Sequence, residues 1–564
     1  MVGAMSGVMI LAAILFFARL GARALWSSEY RWAEIAREMR LTGNYFWPTI
    51  DGRLYYDKPL LSYWLVLAAS HLTGALNEAA ARIPCAIAGL AAVGLLMVLA
   101  RRLYDWRIAA LAGFILATCM SFIFFSRHAS ADVDTIAGEL AALLLFMSMR
   151  ERGGGWWVVP LWLVMAVTSL TKGLLGFVLP LVVIGAYSCL AEGWHQFYDG
   201  VSIGSLSQRV KWLESRNRWF FNWWSIPAIA LAGAVYSVPF QISSHLMRSN
   251  AGLYMVYREN VVRFFQPFDH RGPVYLYAYV IFELMAPWSA LLPAALAQAH
   301  RRHDYAEGDR AADRFALVYF WATFVFFTLS GSRRSYYILP ILPAGAMLIA
   351  RLLMRRREEI SPTAALLLKL GYYALVAILA AGAVMLLPAW MRPAQWRVYP
   401  ATPDHALFCL FWIACAAATF YTLKNFRPGT IAASIGIIAY LSMTYLYIFA
   451  MPSTDQYRDE KRFGEQISRE LHGDMVDLVF FRTEGPLFYM DAAKSVPMYE
   501  DPAALRSAIA AHGVRWVVAR RRDLEAIGVP ATMVAAEAIF PWEDDRQLRN
   551  KQVLLKVGAA SGRT

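Results

Sequence analysis

Residues 79–100 read AAARIPCAIAGLAAVGLLMVLA, and the run ends at Arg101-Arg102. At about 1.5 Å per residue, such a helix spans a hydrocarbon core of about 30 Å. The run carries only one charge, Arg82. Comparable apolar stretches lie near 5–22, 108–125, 134–149, 156–171, 173–191, 224–243, 273–297, 314–330, 336–354, 364–388, 405–423 and 430–450. The pattern predicts an α-helical, polytopic membrane protein with about 13 transmembrane helices. The two stretches flanking Lys172 also read as one long broken helix. Composition agrees: 58% of the 564 residues are hydrophobic and 17% are charged. A soluble domain carries about a quarter charged residues. The first apolar stretch lacks a basic leader and a small-residue cleavage site, so it reads as a first span rather than a removed signal.

Basic clusters orient the spans. Arg101-Arg102 with Arg107, Arg150 with Arg152, the run Arg209 to Arg218, Arg301-Arg302, Arg355 to Arg357, and Lys424 with Arg427 fall on one side. The positive-inside rule makes that side cytoplasmic, with the N-terminus inside and the C-terminus outside. Two long loops, about 23–78 and 244–272, then face outward. In the first, Trp32, Ile35, Ala36 and Met39 recur at helical spacing, with Glu34, Arg37, Glu38 and Arg40 on other faces. That predicts a juxtamembrane helix along the surface. Pro59 to Leu76 reads as a second. After about residue 452 the chain alternates helical patterns with the apolar runs Val476 to Phe481, Val514 to Ala519 and Val553 to Val557. The division is therefore 1–451, transmembrane, and 452–564, a small soluble α/β domain. Cys85, Cys119, Cys189, Cys409 and Cys415 form no CxxC pair and read as buried hydrophobes. The net charge of +13 fits cytoplasmic loops and anionic lipid headgroups; no nucleic-acid motif accompanies it.

Chemistry-bearing residues gather in the outward loops. Glu29, with Arg31 two residues on, is a candidate catalytic carboxylate; taken by spacing alone, a solvated helix-start acid is the stronger reading. In Tyr55-Tyr56-Asp57-Lys58-Pro59, Lys58 suits a phosphate, Tyr56 a sugar face, and Asp57 either Lys58 or a divalent cation. A polar turn before a helix explains the same residues equally well. Lys172 sits between apolar stretches, where ionisable groups are costly and tend to be functional. Asp132, beside Asp134, Arg127 and His128, is a second candidate catalytic acid. Arg258, Arg263 and Arg271 recur in the second loop, and Ser330 to Tyr337 form a short outward turn. These cations run against the positive-inside trend, and guanidinium forks match phosphate oxygens.

Taken in order, the motifs resemble the bacterial aminoarabinose transferases that modify lipid A, and more broadly the protein O-mannosyltransferase-like membrane glycosyltransferases of the GT-C type. The residues carrying the resemblance are Ser28-Glu29-Tyr30-Arg31, Tyr56-Asp57-Lys58-Pro59, Ala81-Arg82-Ile83-Pro84, Asp132-Val133, Leu170-Thr171-Lys172-Gly173, Glu259-Asn260 through Arg263-Phe264, His270-Arg271-Gly272-Pro273, Pro287-Trp288-Ser289 and Ser330 through Pro340. The resemblance implies a sugar donor on undecaprenyl phosphate, a periplasmic active site in a bacterial inner membrane, and inversion at the anomeric carbon. It implies lipid A or another periplasmic acceptor. It places Lys58, Arg263 and Tyr337 on the carrier phosphate, with Lys172 nearby. The chain departs at Ser28, where the family has an Asp before its Glu: the change fits an already ionised phosphate acceptor that needs no base, leaves the work to Glu29, or marks a specialised or inactive member. A related transferase acting on protein or glycan hydroxyls, and a transporter or flippase of lipid-linked sugars, are the alternatives. A transporter normally shows repeat halves and a midplane site, and neither is visible here. A third reading makes the protein a sensor whose soluble domain carries the function.

Overall fold

The computed structural model describes residues 1–564 apart from 27, 153, 192–216, 218–219, 221, 302–306, 383–411, 414, 416, 418–427, 454, 456–458, 473–474, 484–485, 512, 539–544 and 558–564. The expected span 405–423 and Cys409 lie mainly or wholly outside the described residues, as do most of the basic run from Arg209 and the pair Lys424 and Arg427. The chain packs as two compact units. One comprises Met1–Arg19, Asp57–Ser62 and Arg82–Ala450; the other comprises Leu20–Tyr56, Tyr63–Ala81 and Met451–Thr564.

The first unit is helical. Among the described residues five helices are long and apolar enough to cross a membrane: Glu78–Leu103, Ser225–Met247, Arg310–Leu329, Ser335–Leu353 and Gly429–Ala450. Two bent pairs raise the number to seven if each is one span. Among the described residues, which leave out most of the expected span 405–423, the expected count of about 13 is not reached. The stretches near 5–22, 156–171 and 173–191 lie on shorter helices such as Val2–Phe17 and Val158–Lys172, and the stretch 364–388 starts on the helix Pro362–Gly382 and ends outside the described residues. The helix Asp132–Arg152 is longer but more highly charged.

In chain order we call Val2–Phe17 α1, Glu29–Thr42 α2, Leu61–Thr73 α3, Glu78–Leu103 α4, Trp106–Thr118 α5, Met120–Ser126 α6, Asp132–Arg152 α7, Val158–Lys172 α8 and Leu175–Ala186 α9. Arg101 and Arg102 close α4, where cations complement the helix dipole. Asp105 caps α5 by accepting from the backbone of Arg107 (2.7 Å) and Ile108 (3.0 Å). Helix α7 packs on α8 with close approach at Gly138, where an added Cβ would fall 1.9 Å from Thr168 Oγ1. Small residues at such contacts let helix backbones meet.

The stretch 108–125, read as one span, is instead α5 and α6 bent by 69° about Cys119. The stretch 273–297 is bent by 120° between Leu284 and Trp288. The two breaks satisfy each other. Met120 N–H donates to Ala286 O (2.9 Å), Ser121 Oγ to Leu284 O (2.5 Å), and Trp288 Nε1 to Thr118 Oγ1 (2.8 Å). Backbone freed from a helix in an apolar setting needs such partners. The pair flanking Lys172 is two helices, separated at Gly173, whose φ is +112°. Cys85, Cys119 and Cys415 are buried, as expected, whereas Cys189 is exposed.

In the second unit α2 forms as predicted, but of its polar residues Glu34, Arg37, Glu38 and Arg40 only Arg40 faces solvent. Glu34, Arg37 and Glu38 are buried together with Trp32, Ile35, Ala36 and Met39. Arg37 pairs with Glu34 through Nε (2.9 Å) and NH2 (2.7 Å), and donates to Ala492 O (2.7 Å). Glu38 accepts from Thr49 Oγ1 and from the backbone of Asp51 and Gly52. Helical spacing identified the apolar stripe, but it cannot tell a solvated charge from one met by protein partners. We expect Arg37→Met to destabilise the protein by about 3–5 kcal/mol, because the Glu34 carboxylate stays buried without its guanidinium. Thermal unfolding of the purified protein measures this. An unchanged melting temperature would contradict the buried-pair argument.

Two short strands follow α2: β1 (Thr49–Ile50) pairs with β2 (Arg53–Leu54). The C-terminal part carries a five-stranded mixed sheet, with β3 (Leu478–Phe481), β4 (Met498–Tyr499), β5 (Trp516–Arg520), β6 (Val534–Glu537) and β7 (Gln552–Lys556) in the order β4-β3-β5-β7-β6. Strands β4, β3 and β5 run parallel, and β7 is antiparallel to both its neighbours. Val479, Phe481, Val517, Ala519, Val553 and Leu555 alternate along the strands onto one core with Leu505 and Ile527. Residues 20–56 and 63–81 pack in this same unit. Ala24 N–H donates to Asp455 Oδ1 (2.8 Å), Leu25 N–H to Tyr489 OH (2.5 Å), and Val496 N–H to Asp51.

Candidate functional site

Three turns of the first unit bring charged side chains together. On the first, Lys58 Nζ lies 2.9 Å from Asp57 Oδ1 and donates to Asp57 O (3.1 Å). Ser62 Oγ donates to Thr171 O (2.9 Å), which fixes this segment on the end of α8. On the second, Lys172 closes α8, pairs with Asp132 at the start of α7, and stands 5.6 Å from the centre of the Tyr337 ring. Both partners of the Lys172–Asp132 pair are mostly buried.

The third is the segment 257–272. Asn260 Oδ1 accepts from Leu174 N–H (2.8 Å), capping the start of α9. A Cβ on Gly173 would fall 2.7 Å from that oxygen, so the glycine, at positive φ, leaves the space that the asparagine fills. One turn on, Arg263 pairs with Glu259 Oε2 (2.5 Å) and Asp269 Oδ2 (2.6 Å), and Asp269 also meets His270 Nε2 (3.1 Å). Arg258 and Arg263 both lie over the Phe268 ring, at 4.4 and 4.9 Å. The turn after residue 330 closes on this segment. Gly331 N–H donates to Phe264 O (2.7 Å) and Arg333 NH1 to Gly272 O (2.9 Å). Arg271 Nε donates to Pro267 O (3.0 Å) and is otherwise at the rim.

Electrostatics tie the turns together. Burial raises the Glu259 carboxyl, and the charges of Arg263 and Lys58 only partly oppose it. Burial pulls the Arg263 guanidinium down, but Glu259, Tyr337, Asp269 and Asp57 outweigh it and raise it. Burial and then the Arg334 charge lower His270, which favours the neutral ring. The result is a cluster of three cations bordered by Tyr337, with Lys58 held by Asp57, Lys172 by Asp132, and Arg263 by Glu259 and Asp269.

The structure thus brings together Asp57, Lys58, Asp132, Lys172, Arg263 and Tyr337 in the first unit, with Arg271 beside them. Glu29, Arg31 and Tyr56 belong to the second unit. There Glu29 is buried and accepts from Trp26 N–H (3.0 Å). Arg31 NH1 donates to Tyr55 OH (2.9 Å), and Tyr56 OH donates to Phe46 O (2.9 Å). Asp134 meets the Cys85 thiol (3.8 Å). Asp57, the candidate metal ligand, spends its carboxylate on Lys58. Among the described residues no group of three or more His, Cys, Asp or Glu side chains lies together to hold an ion. The sequence reading passes over Asp269 and Phe268. Their only signal is an acid and an aromatic ring spaced between Arg263 and Arg271.

Comparison with known proteins points the same way. Residues 57–198 match the family of dolichyl-phosphate-mannose-protein mannosyltransferases, a stretch that holds Lys58, Asp132 and Lys172. An undecaprenyl phosphate-alpha-4-amino-4-deoxy-L-arabinose arabinosyl transferase of Pseudomonas paraeruginosa is 26% identical over 463 residues, covering 76% of this chain and 78% of that one. A transferase of the same name from Erwinia tasmaniensis is 26% identical over 345 residues, covering 60% and 57%. The fold is similar to the crystal structure of ArnT from Cupriavidus metallidurans bound to undecaprenyl phosphate, with a TM-score of 0.71 at 19% identity over 99% of this chain and 98% of that one. The resemblance read from the motifs is therefore found in sequence and in fold.

Proposed function

We propose that this protein is an inverting glycosyltransferase of the bacterial inner membrane. It moves a sugar from undecaprenyl phosphate to a periplasmic acceptor, specifically 4-amino-4-deoxy-L-arabinose to a lipid A phosphate. The observation that carries the reading is the convergence of Lys58, Lys172 and Arg263, from three joined turns of one unit, with Tyr337 from the turn after residue 330. The named relatives support the donor and the sugar. In this reading the chain has about 13 spans, residues 452–564 form a periplasmic domain, and the site opens to the periplasm.

The charge balance suits such a cluster. An oxygen of the acceptor phosphate attacks the anomeric carbon from the face opposite the carrier. The bond from that carbon to the carrier phosphate oxygen breaks, and its electron pair stays with the phosphate. One negative charge thus moves from acceptor to carrier. Cations fixed around the carrier phosphate stabilise that gain, because they need no reorganisation as the charge grows. Lys58 and Arg263 would meet the leaving phosphate, with Lys172 and Tyr337 beside it.

The direct test is purified protein with undecaprenyl-phosphate aminoarabinose and lipid A, read by mass spectrometry of the lipid. A mass gain of one aminoarabinose per phosphate is expected; an unmodified lipid A would sink the acceptor assignment. Orientation has its own test. A reporter active only in the cytoplasm, fused after Thr564, should be silent, and a bright signal would reverse the face of every site.

Glu29 separates acceptor classes. A hydroxyl acceptor needs a base, and losing one costs about 10²–10⁴-fold. An ionised phosphate needs none. We expect Glu29→Gln to keep turnover within about tenfold of wild type, below the general-base range. A loss in that range, with substrate binding intact and a wild-type carboxylate titration abolished, would redirect the search to protein or glycan hydroxyls.

A further inference from the structure

In the second unit the carboxyl ends of the three parallel strands open on one cavity. Glu500 follows β4, Arg482 and Thr483 follow β3, and Arg520 ends β5. Ligand sites in open α/β sheets form at this edge, where the loops leaving neighbouring strands diverge. The cavity has a volume of about 620 Å³, within the range of small-molecule sites. Arg31, Arg482 and Arg520 line it, with Glu460, Glu500 and Tyr30.

Its walls are held in place. Arg482 has φ +51°, a left-handed conformation uncommon for a residue with a side chain. Its Nε donates to Glu500 O (2.7 Å), tying the ends of β3 and β4. Gln552 Nε2 donates to Thr483 Oγ1 (2.8 Å), tying β7 to β3. Arg31 lies over the Tyr30 and Tyr55 rings, at 5.8 and 5.6 Å.

The chemistry is selective. Three guanidinium groups supply forks for phosphate oxygens. Two carboxylates alongside them would repel a bare phosphate but accept from hydroxyls set a few ångströms away. Tyr30 offers a ring face to a sugar. We infer that this cavity binds a phosphorylated saccharide, the headgroup of the acceptor. Its role as acceptor site rests on the proposed function; the binding itself does not. Arg31 lies within the first turn of α2, which also carries Glu29, so a headgroup held here engages the helix of the candidate acid.

The test is titration of the full chain in detergent with a deacylated, bisphosphorylated glucosamine disaccharide. Saturable binding is expected, at least about tenfold tighter than for the same disaccharide without phosphates. The double variant Arg482→Gly/Arg520→Gln should weaken binding about tenfold or more. Glycine accepts the left-handed backbone at position 482 without strain. Arg520→Gln alone, which leaves the apolar face of β5 untouched, should weaken binding several-fold and serves if the double variant does not fold. Equal affinity for the two disaccharides, or unchanged affinity in the variants, overturns the inference. So does binding seen only with acylated lipid A and indifferent to Arg482 and Arg520, because acyl chains are then the ligand. Arginine-dependent binding without any transfer by the wild type supports the cavity assignment and overturns the proposed function.

Discussion

Lys58→Ala and Arg263→Ala are each expected to lower sugar transfer by about 10²–10³-fold, the loss typical of removing one fixed group that stabilises developing charge. The two differ in what they leave behind. Lys58 is partly accessible and its partner Asp57 more so, so Asp57 can be hydrated after the change. Arg263 is more enclosed and holds both Glu259 and Asp269, so its loss strands two carboxylates. Arg263→Lys distinguishes charge from shape. An ammonium restores the charge but not the fork, so recovery should be partial. Turnover at saturating donor, together with elution and melting of each variant, is the measurement. Near-normal turnover in both alanine variants would remove the phosphate clamp and leave the cluster as a structural ion-pair network.

How far the sequence revealed this site depends on the kind of signal each residue gives. Lys58, Lys172 and Arg263 stand out because a cation next to an apolar stretch is costly unless something answers it. Their convergence did not show. It depends on Ser62 reaching Thr171 and Asn260 reaching Leu174, contacts between segments about a hundred residues apart in the chain. Asn260 illustrates the difficulty, since a cap on another segment's helix leaves no periodic trace.

The fold divides similarly. Hydropathy located most of the long helices but missed the break at Cys119, because Thr118-Cys119-Met120 contains neither Gly nor Pro. What holds that break open is Trp288 and Ala286, far along the chain. Pro287 did mark its counterpart. In α2 the apolar stripe was legible, but the burial of Glu34, Arg37 and Glu38 was not. Their partners Ala492, Thr49 and Asp51 come from elsewhere in the chain, and periodicity describes only the helix itself.

Lys172 allows a sharper separation of stability from chemistry. It is paired with Asp132 and both are mostly buried, so Lys172→Met leaves a buried carboxylate without its cation. That should cost about 3–5 kcal/mol of stability, and turnover should fall about 10²-fold or more if Lys172 stabilises the leaving phosphate. Taken alone, both losses could follow from misfolding. Lys172→Met/Asp132→Asn removes both charges, and replacing a whole buried pair is often close to neutral. The double variant should therefore regain most of the melting temperature lost by the single one, while its turnover stays about 10²-fold down. The Tyr337 ring, 5.6 Å from the ammonium, loses its cation in either variant, so it cannot account for a difference between them. If turnover instead returns together with stability, Lys172 serves to hold α8 to α7. The charge on the leaving phosphate would then fall to Lys58 and Arg263.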